Sequence, residues 1–186
     1  WLVDPLDGTT NFIHGIPVFA VSVALIDEKQ VPVVGVVYEV NLKECFYAYQ
    51  NGGAFLNGKP ISVSDTLEIG NSVCATGFPY FDHSQMPQYL RLLSVMMRKI
   101  RGFMRMGSAA VDLAYTAAGR FDIYLEHQLS PWDVAAGACI VKEAGGMVCD
   151  FEGEEDYIFG KPILASNTKL NPKVLQILRR HFWLNS

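Results

Sequence analysis

The sequence predicts an α+β fold of layered sheets and helices. Three observations carry this reading. Residues 18–50 are apolar runs separated by short polar turns, the pattern of a β-meander. Beyond residue 71, short apolar strands alternate with segments of helical period. Ser130-Pro131-Trp132-Asp133 places a capping residue, a first-turn proline and a carboxylate in the order that starts a helix.

The elements follow in order. A short apolar strand opens the chain and ends in Asp4 and Asp7, and Gly8-Thr9-Thr10 begins a short helix. The meander runs through Val18–Ile26, Val31–Val40 and Cys45–Gln50, and Asn57-Gly58 supplies a hairpin-type turn before a strand at Ile61–Val63. Next come a strand at Ser72–Thr76 and a helix over Gln85–Lys99, with apolar residues at 86, 89, 90, 93, 96 and 97. Gly102–Met106 reads as a strand, Ser108–Ala118 as a helix and Phe121–Leu125 as a strand. The helix from Ser130 runs to Ala144 and stops at Gly145-Gly146. Strands at Met147–Cys149 and Ile163–Ala165 and a helix over Pro172–Phe182 complete the chain. The pattern divides at residue 70, into a motif-and-meander region (1–70) and a C-terminal α/β region (71–186).

Composition narrows the function classes. Of 186 residues, 50% are hydrophobic and 18% charged, which excludes intrinsic disorder. Fifteen basic against nineteen acidic residues give a net charge of −4, the wrong sign for a nucleic-acid binder. The basic clusters Arg98–Lys99–Arg101 and Arg179–Arg180–His181 read as solvated helix faces. The longest apolar run, Val18–Ile26, is strand-sized and falls well short of a bilayer span. Cys45, Cys74, Cys139 and Cys149 form no CxxC pair and are expected as reduced thiols in a cytoplasmic protein. The four histidines form no ligand-spaced set, and Trp132, Tyr47 and Tyr49 read as core or interface residues.

Chemistry concentrates at the start of the chain. Asp4 and Asp7 are three residues apart, so in a regular strand they would face opposite sides, and a turn at Pro5 could bring them round one point. The backbone N–H groups of Gly8-Thr9-Thr10 would suit a phosphate. Paired carboxylates beside an anion cradle make sense with hard divalent cations bridging the two. The plainer alternative is that Asp-Pro and Asp-Gly simply punctuate a turn. Asp133 likewise reads either as a helix-capping carboxylate or as a metal ligand.

The string Trp1-Leu-Val-Asp4-Pro-Leu-Asp7-Gly8-Thr9-Thr10-Asn11-Phe12 closely resembles the first signature of the inositol monophosphatase family. Trp132-Asp133-Val134-Ala135-Ala136-Gly137, followed by Glu143-Ala144-Gly145-Gly146, resembles its C-terminal signature. Gly52–Gly58 and Gly107-Ser108-Ala109-Ala110 also resemble family segments. The resemblance implies an αβαβα sandwich whose first helices and strands are absent from this chain. It implies a phosphoric monoester hydrolase with two or three Mg²⁺ ions, sensitive to lithium and homodimeric. Its substrate would be an inositol phosphate or a similar polyol or sugar phosphate.

Carried over by position, the resemblance makes Asp4 a bridge between two metals, helped by the Leu6 carbonyl, while Asp7 and Asp133 complete the second. Gly8 and Thr9 would bind the phosphate through backbone N–H groups. The Thr9 hydroxyl would orient the attacking water in an in-line displacement at phosphorus. Asp4, Asp7 and Thr9 are thus the catalytic set, and Leu6, Gly107, Ser108 and Ala109 border the substrate. Glu126, seven residues before Asp133, matches an acid that accepts hydrogen bonds from sugar hydroxyls, although by itself it reads as a solvated strand end. A metal-ligating glutamate that the family carries upstream of the Asp-Pro-x-Asp string has no counterpart, so the chain resembles the C-terminal two-thirds of such an enzyme. Two rivals are a haloacid-dehalogenase-type phosphatase, whose carboxylates are spaced one residue closer, and a non-catalytic phosphate-binding or dimerising module.

Overall fold

A computed structural model describes residues 1–79, 82–159 and 162–182. The first sheet is wholly antiparallel and follows chain order: β1 (Leu2–Asp7), β2 (Ala20–Ile26), β3 (Pro32–Glu39), β4 (Glu44–Tyr49), β5 (Gly53–Leu56) and β6 (Lys59–Ile61). A five-residue helix, α1 (Thr9–Ile13), sits between β1 and β2.

After a single 3₁₀ turn at Ile69–Asn71 come β7 (Val73–Thr76), α2 (Met86–Met97), β8 (Gly102–Met104), α3 (Ala109–Ala117) and β9 (Ile123–Glu126). The chain continues through α4 (Pro131–Glu143), β10 (Gly146–Cys149), β11 (Ile163–Asn167) and α5 (Asn171–His181). The second sheet has the order β10-β11-β9-β7-β8, with β7 parallel to both β8 and β9.

Four layers result: first sheet, α3 with α4, second sheet, α2 with α5. Side-chain alternation on the second sheet shows why. Ala75, Tyr124 and Ala165 join the core that holds α3, α4 and the first sheet, whereas Cys74, Ile123, Leu125 and Leu164 join the core under α2 and α5. Every residue of α3 is buried, as are Val134–Val141 of α4, so both helices read as apolar on all sides. Small residues on one face of β2, namely Ala20, Ser22 and Ala24, leave room for α4 to lie close, and all three are buried.

Most sequence expectations place their elements within a residue or two. The strand expected at Ile61–Val63 instead ends at Ile61. Asn57 and Gly58 both take positive φ (48° and 81°) and form a two-residue hairpin turn that pairs Leu56 with Lys59 at once. Val63 has left the sheet and donates to the Ala144 carbonyl (3.1 Å). The strand expected over Gly102–Met106 stops at Met104, and the Met106 carbonyl accepts from the Asn11 amide (2.7 Å). Among the described residues no helix is long and apolar enough to cross a membrane, and all four cysteines are free thiols.

Candidate active site

Asp4 and Asp7 do converge, by a bulge within β1 and not by a turn at Pro5. Asp4 pairs with Ser22 and Asp7 with Ala20, so Pro5 and Leu6 together oppose Val21. Directly paired residues point to the same face of an antiparallel sheet, and Ser22 and Ala20 share a face. The extra residue therefore turns an i, i+3 spacing into a same-face pair. Pro5, which has no N–H to give a ladder, is well suited to a bulge on an edge strand. Leu6 bonds outside the ladder: its N–H donates to Asp4 Oδ1 (2.9 Å), and its carbonyl accepts from the Thr9 hydroxyl (2.9 Å).

Ser22 brings in the third acid. Its hydroxyl donates to the Trp132 carbonyl (3.1 Å), which fixes the start of α4 over the same face of the sheet. Asp133 follows, and its Oδ2 accepts from the Ser130 backbone N–H (2.8 Å), so the capping role is real. The metal-ligand geometry is present alongside it. One carboxylate oxygen each from Asp4, Asp7 and Asp133 lies within 4.8 Å of the others, the only such acid, histidine or cysteine group among the described residues.

Asp7 is the most constrained of the three. Oδ2 accepts from the Ser108 hydroxyl (2.5 Å) and the Ala110 backbone N–H (2.8 Å) at the start of α3. Burial nevertheless pushes its carboxyl up to about 6, opposed by those hydrogen bonds and reinforced by Asp4. Burial likewise carries Asp133 up to about 7, with Asp7 and Asp4 adding to the rise. Anions held this close against the cost of burial call for a cation.

Gly8 caps α1 with φ +88°, and a Cβ there would press on the Val18 carbonyl at 3.0 Å. Only glycine turns the chain so tightly from the bulged strand into a helix. Asn11 locks this turn to the opposite loop: its amide donates to the carbonyls of Val18 and Met106, both at 2.7 Å. Asn11 is thus a buried clamp, and Phe12 packs edge-on against Phe19.

These groups open onto a cleft of about 380 Å³ that also contains Thr76, Gly77, Arg105, Asp112 and Glu126. Glu126 is 6% exposed, which overturns the solvated-strand-end alternative. Tyr124, two residues earlier on the same face of β9, donates its hydroxyl to Glu126 Oε2 (2.9 Å). A Cβ on Gly77 would overlap the Glu126 carboxylate, so that residue must be glycine for Glu126 to lie there. Burial raises Glu126 to about 8; the Tyr124 hydroxyl and Arg105 oppose the rise, and Asp7 and Asp133 add to it.

The sequence-predicted residues Asp4, Leu6, Asp7, Gly8, Thr9, Gly107, Ser108, Ala109, Glu126 and Asp133 all line this one cleft. Ser108 differs in detail, since its hydroxyl is spent on orienting Asp7. Trp132 and Tyr49 are not core residues: they are 46% and 53% exposed. Glu143 is structural, accepting from the backbone N–H groups of Asn51 and Gly53 (both 2.9 Å) to hold the β4–β5 turn. Sequence reasoning missed Thr76, Gly77, Arg105, Tyr124 and Asp112. Asp112 carried a signal, being an acid inside the apolar run Ala109–Ala118.

The inositol monophosphatase family model matches residues 1–182. The chain is 41% identical over 180 residues to an inositol-1-monophosphatase of Mesorhizobium japonicum, covering 97% of this chain and 67% of that protein. It is 43% identical over 181 residues to a protein named putative Nus factor SuhB from Neisseria meningitidis serogroup B, covering 97% and 69%. The extragenic suppressor protein suhB of Bartonella henselae superposes with a TM-score of 0.90 at 44% identity, over 96% of this chain and 68% of that one. With both signatures gathered in one cleft and this agreement along nearly its whole length, the chain belongs to the inositol monophosphatase family.

Proposed function

We propose that this chain carries the phosphate-hydrolysing site of a Mg²⁺-dependent phosphomonoesterase acting on an inositol monophosphate or a similar polyol or sugar phosphate. The observation that carries the reading is the convergence of Asp4, Asp7 and Asp133 beside the Gly8–Thr10 turn. An all-oxygen donor set fits Mg²⁺, and Asp4, the Leu6 carbonyl, Asp7 and Asp133 would hold it. When bound, the ion supplies charge neutralisation at the phosphoryl oxygens and a lowered pKa for water.

The remaining work falls to the chain. The first backbone N–H groups of α1 have no partner within the helix and face a phosphate seated at Gly8 and Thr9. Ser108 and Ala110 hold Asp7 in one rotamer, so the site meets its substrate already ordered. The Thr9 hydroxyl, anchored on Leu6, orients the attacking water. Glu126 faces the alcohol side and accepts hydrogen bonds from ring hydroxyls.

Family membership removes the haloacid-dehalogenase alternative. The four free thiols suit a reducing compartment such as the cytoplasm, and the family resemblance supports a homodimer. Other relatives are named Nus factors, so catalysis has to be measured against the non-catalytic reading. The test is phosphate release from inositol 1-phosphate by the product of the whole gene, titrated with Mg²⁺. Turnover should vanish in excess chelator and be inhibited by lithium. Full turnover in chelator would sink the metal-dependent reading, and none under any condition would favour the binding module.

A further inference from the structure

Asp112 is a buried acid that none of the roles above employs. It is 1% exposed, near the start of α3, and it lines the cleft together with Arg105 and Glu126. Its Oδ1 has no hydrogen-bond partner among the described residues. A buried, unpaired acceptor is costly, and native proteins rarely keep one without a ligand or a functional use. Asp112 is not part of the converging metal-ligand group.

The surroundings point to what would pair with it. Glu126 lines the same part of the cleft, with Oε2 tied to Tyr124 and its carboxylate pressed against Gly77. Burial raises the proton affinity of Asp112, Glu126 is near enough to add to that rise, and Arg105 offsets part of it for both acids. A cleft lined by these two acids and also by the Gly8–Thr10 turn suits a ligand that is anionic at one end and rich in hydroxyls at the other. A hydroxyl both donates and accepts, so it can pair with Asp112 whether that acid is ionised or protonated.

We propose that Asp112 is a second hydroxyl-reading carboxylate, acting with Glu126, so that the preferred substrates are phosphorylated polyols presenting at least two hydroxyls to this end of the cleft. The proposal rests on the phosphomonoesterase reading above. It makes Asp112 a specificity-determining residue with no part in the phosphoryl chemistry.

The experiment uses the product of the whole gene with Mg²⁺ and compares inositol 1-phosphate with p-nitrophenyl phosphate, which has no hydroxyl to read. In Asp112→Leu the ratio of kcat/KM between the two should fall roughly 10- to 100-fold, mostly through KM for the polyol. Asp112→Asn keeps an oxygen acceptor and should recover part of that ratio. Equal losses on both substrates with a lowered Tm would overturn the proposal and make Asp112 a structural counter-charge to Arg105; so would an unchanged ratio in both variants. If Asp112→Leu fails to fold, Asp112→Asn decides with a deoxy-inositol phosphate. The parent's preference for the fully hydroxylated substrate should shrink in that variant, and an undiminished preference refutes the role. Calorimetric binding of inositol 1-phosphate with Ca²⁺ in place of Mg²⁺ separates this proposal from the catalytic reading, since it supplies the cation and needs no turnover. The parent should bind at least about 10-fold more tightly than Asp112→Leu. Equal affinity, or none in either protein, overturns the proposal even where turnover is normal.

Discussion

The two walls of the cleft are built in opposite ways. The wall proposed to seat the phosphate is local: Asp4, Leu6, Asp7, Gly8 and Thr9 lie within six consecutive residues, shaped by one bulge and one left-handed glycine. The wall proposed to read hydroxyls is dispersed. Gly77 follows β7, Arg105 follows β8, Asp112 rides on α3, and Glu126 ends β9 with Tyr124 hydrogen-bonded to it from outside the cleft lining. Local construction fixes reacting groups through covalent geometry, which suits a step that must not vary. Dispersed construction lets separate elements each adjust one contact, which suits choice among alcohols.

That contrast can be broken by substitutions on either wall. The largest effect is expected from Asp7→Asn, which keeps the size of the side chain and loses the charge. Turnover should fall by about 10³ on every substrate alike, since electrostatic stabilisation is the dominant contribution at such sites. A loss confined to polyol phosphates would erase the division between the walls. Asp133→Asn should cost about 10² in turnover, again without regard to the alcohol. Its folding free energy should change by no more than ~1 kcal/mol, because Asn retains an oxygen to accept from Ser130. Near-normal turnover, followed by phosphate release, would return Asp133 to capping alone.

Smaller and more selective effects are expected on the other wall. Glu126→Gln should weaken inositol phosphate about 10-fold more than an aryl phosphate, as the ring hydroxyls meet an amide NH₂ in place of one carboxyl oxygen. Gly77→Ala should act in the same direction by displacing the Glu126 carboxylate, even though Gly77 has no side chain to offer. Uniform losses in either variant would move Glu126 to the phosphate wall.

The smallest effect concerns pH. Glu126 is raised from 4.5 to about 8 by burial, so the folded chain holds its proton where the unfolded chain has released it. Parent stability should therefore fall relative to Glu126→Gln as pH rises from about 4.5 to 8, and level off above. Denaturant melts of both proteins at pH 5 and pH 8, with chelator present, measure this gap. A gap that does not move would mean that Glu126 is not held protonated.

What was legible in the sequence follows the same division. The phosphate wall could be read because its residues are consecutive, and Ser130-Pro131-Trp132-Asp133 because helix starts are written locally. The mechanism of convergence was not legible: Pro5 is compatible with a turn or with a bulge, and which one forms depends on which residue of β2 faces Asp7. Gly77 resembles any loop glycine until the sheet sets it against Glu126. Asn11 reads in the sequence only as part of the first family signature, and in the structure it is a clamp between α1 and the loop before α3. Tyr124 and Arg105 gain meaning only once β9, β8 and α3 share one end of a sheet.

The bulge in β1 has a further consequence for which changes of length the chain could tolerate. Without Pro5 the strand would become regular, and its two aspartates, now two residues apart, would still share a face. What would vanish is the spare peptide group. Leu6 would return to the ladder, its carbonyl would be drawn into pairing with β2, and Thr9 would lose its anchor. The inserted residue thus acts as a reservoir of one main-chain oxygen, released from the sheet for use in the cleft. A single-residue deletion here would leave every acidic side chain in place and still remove an acceptor oxygen that no side-chain substitution can restore.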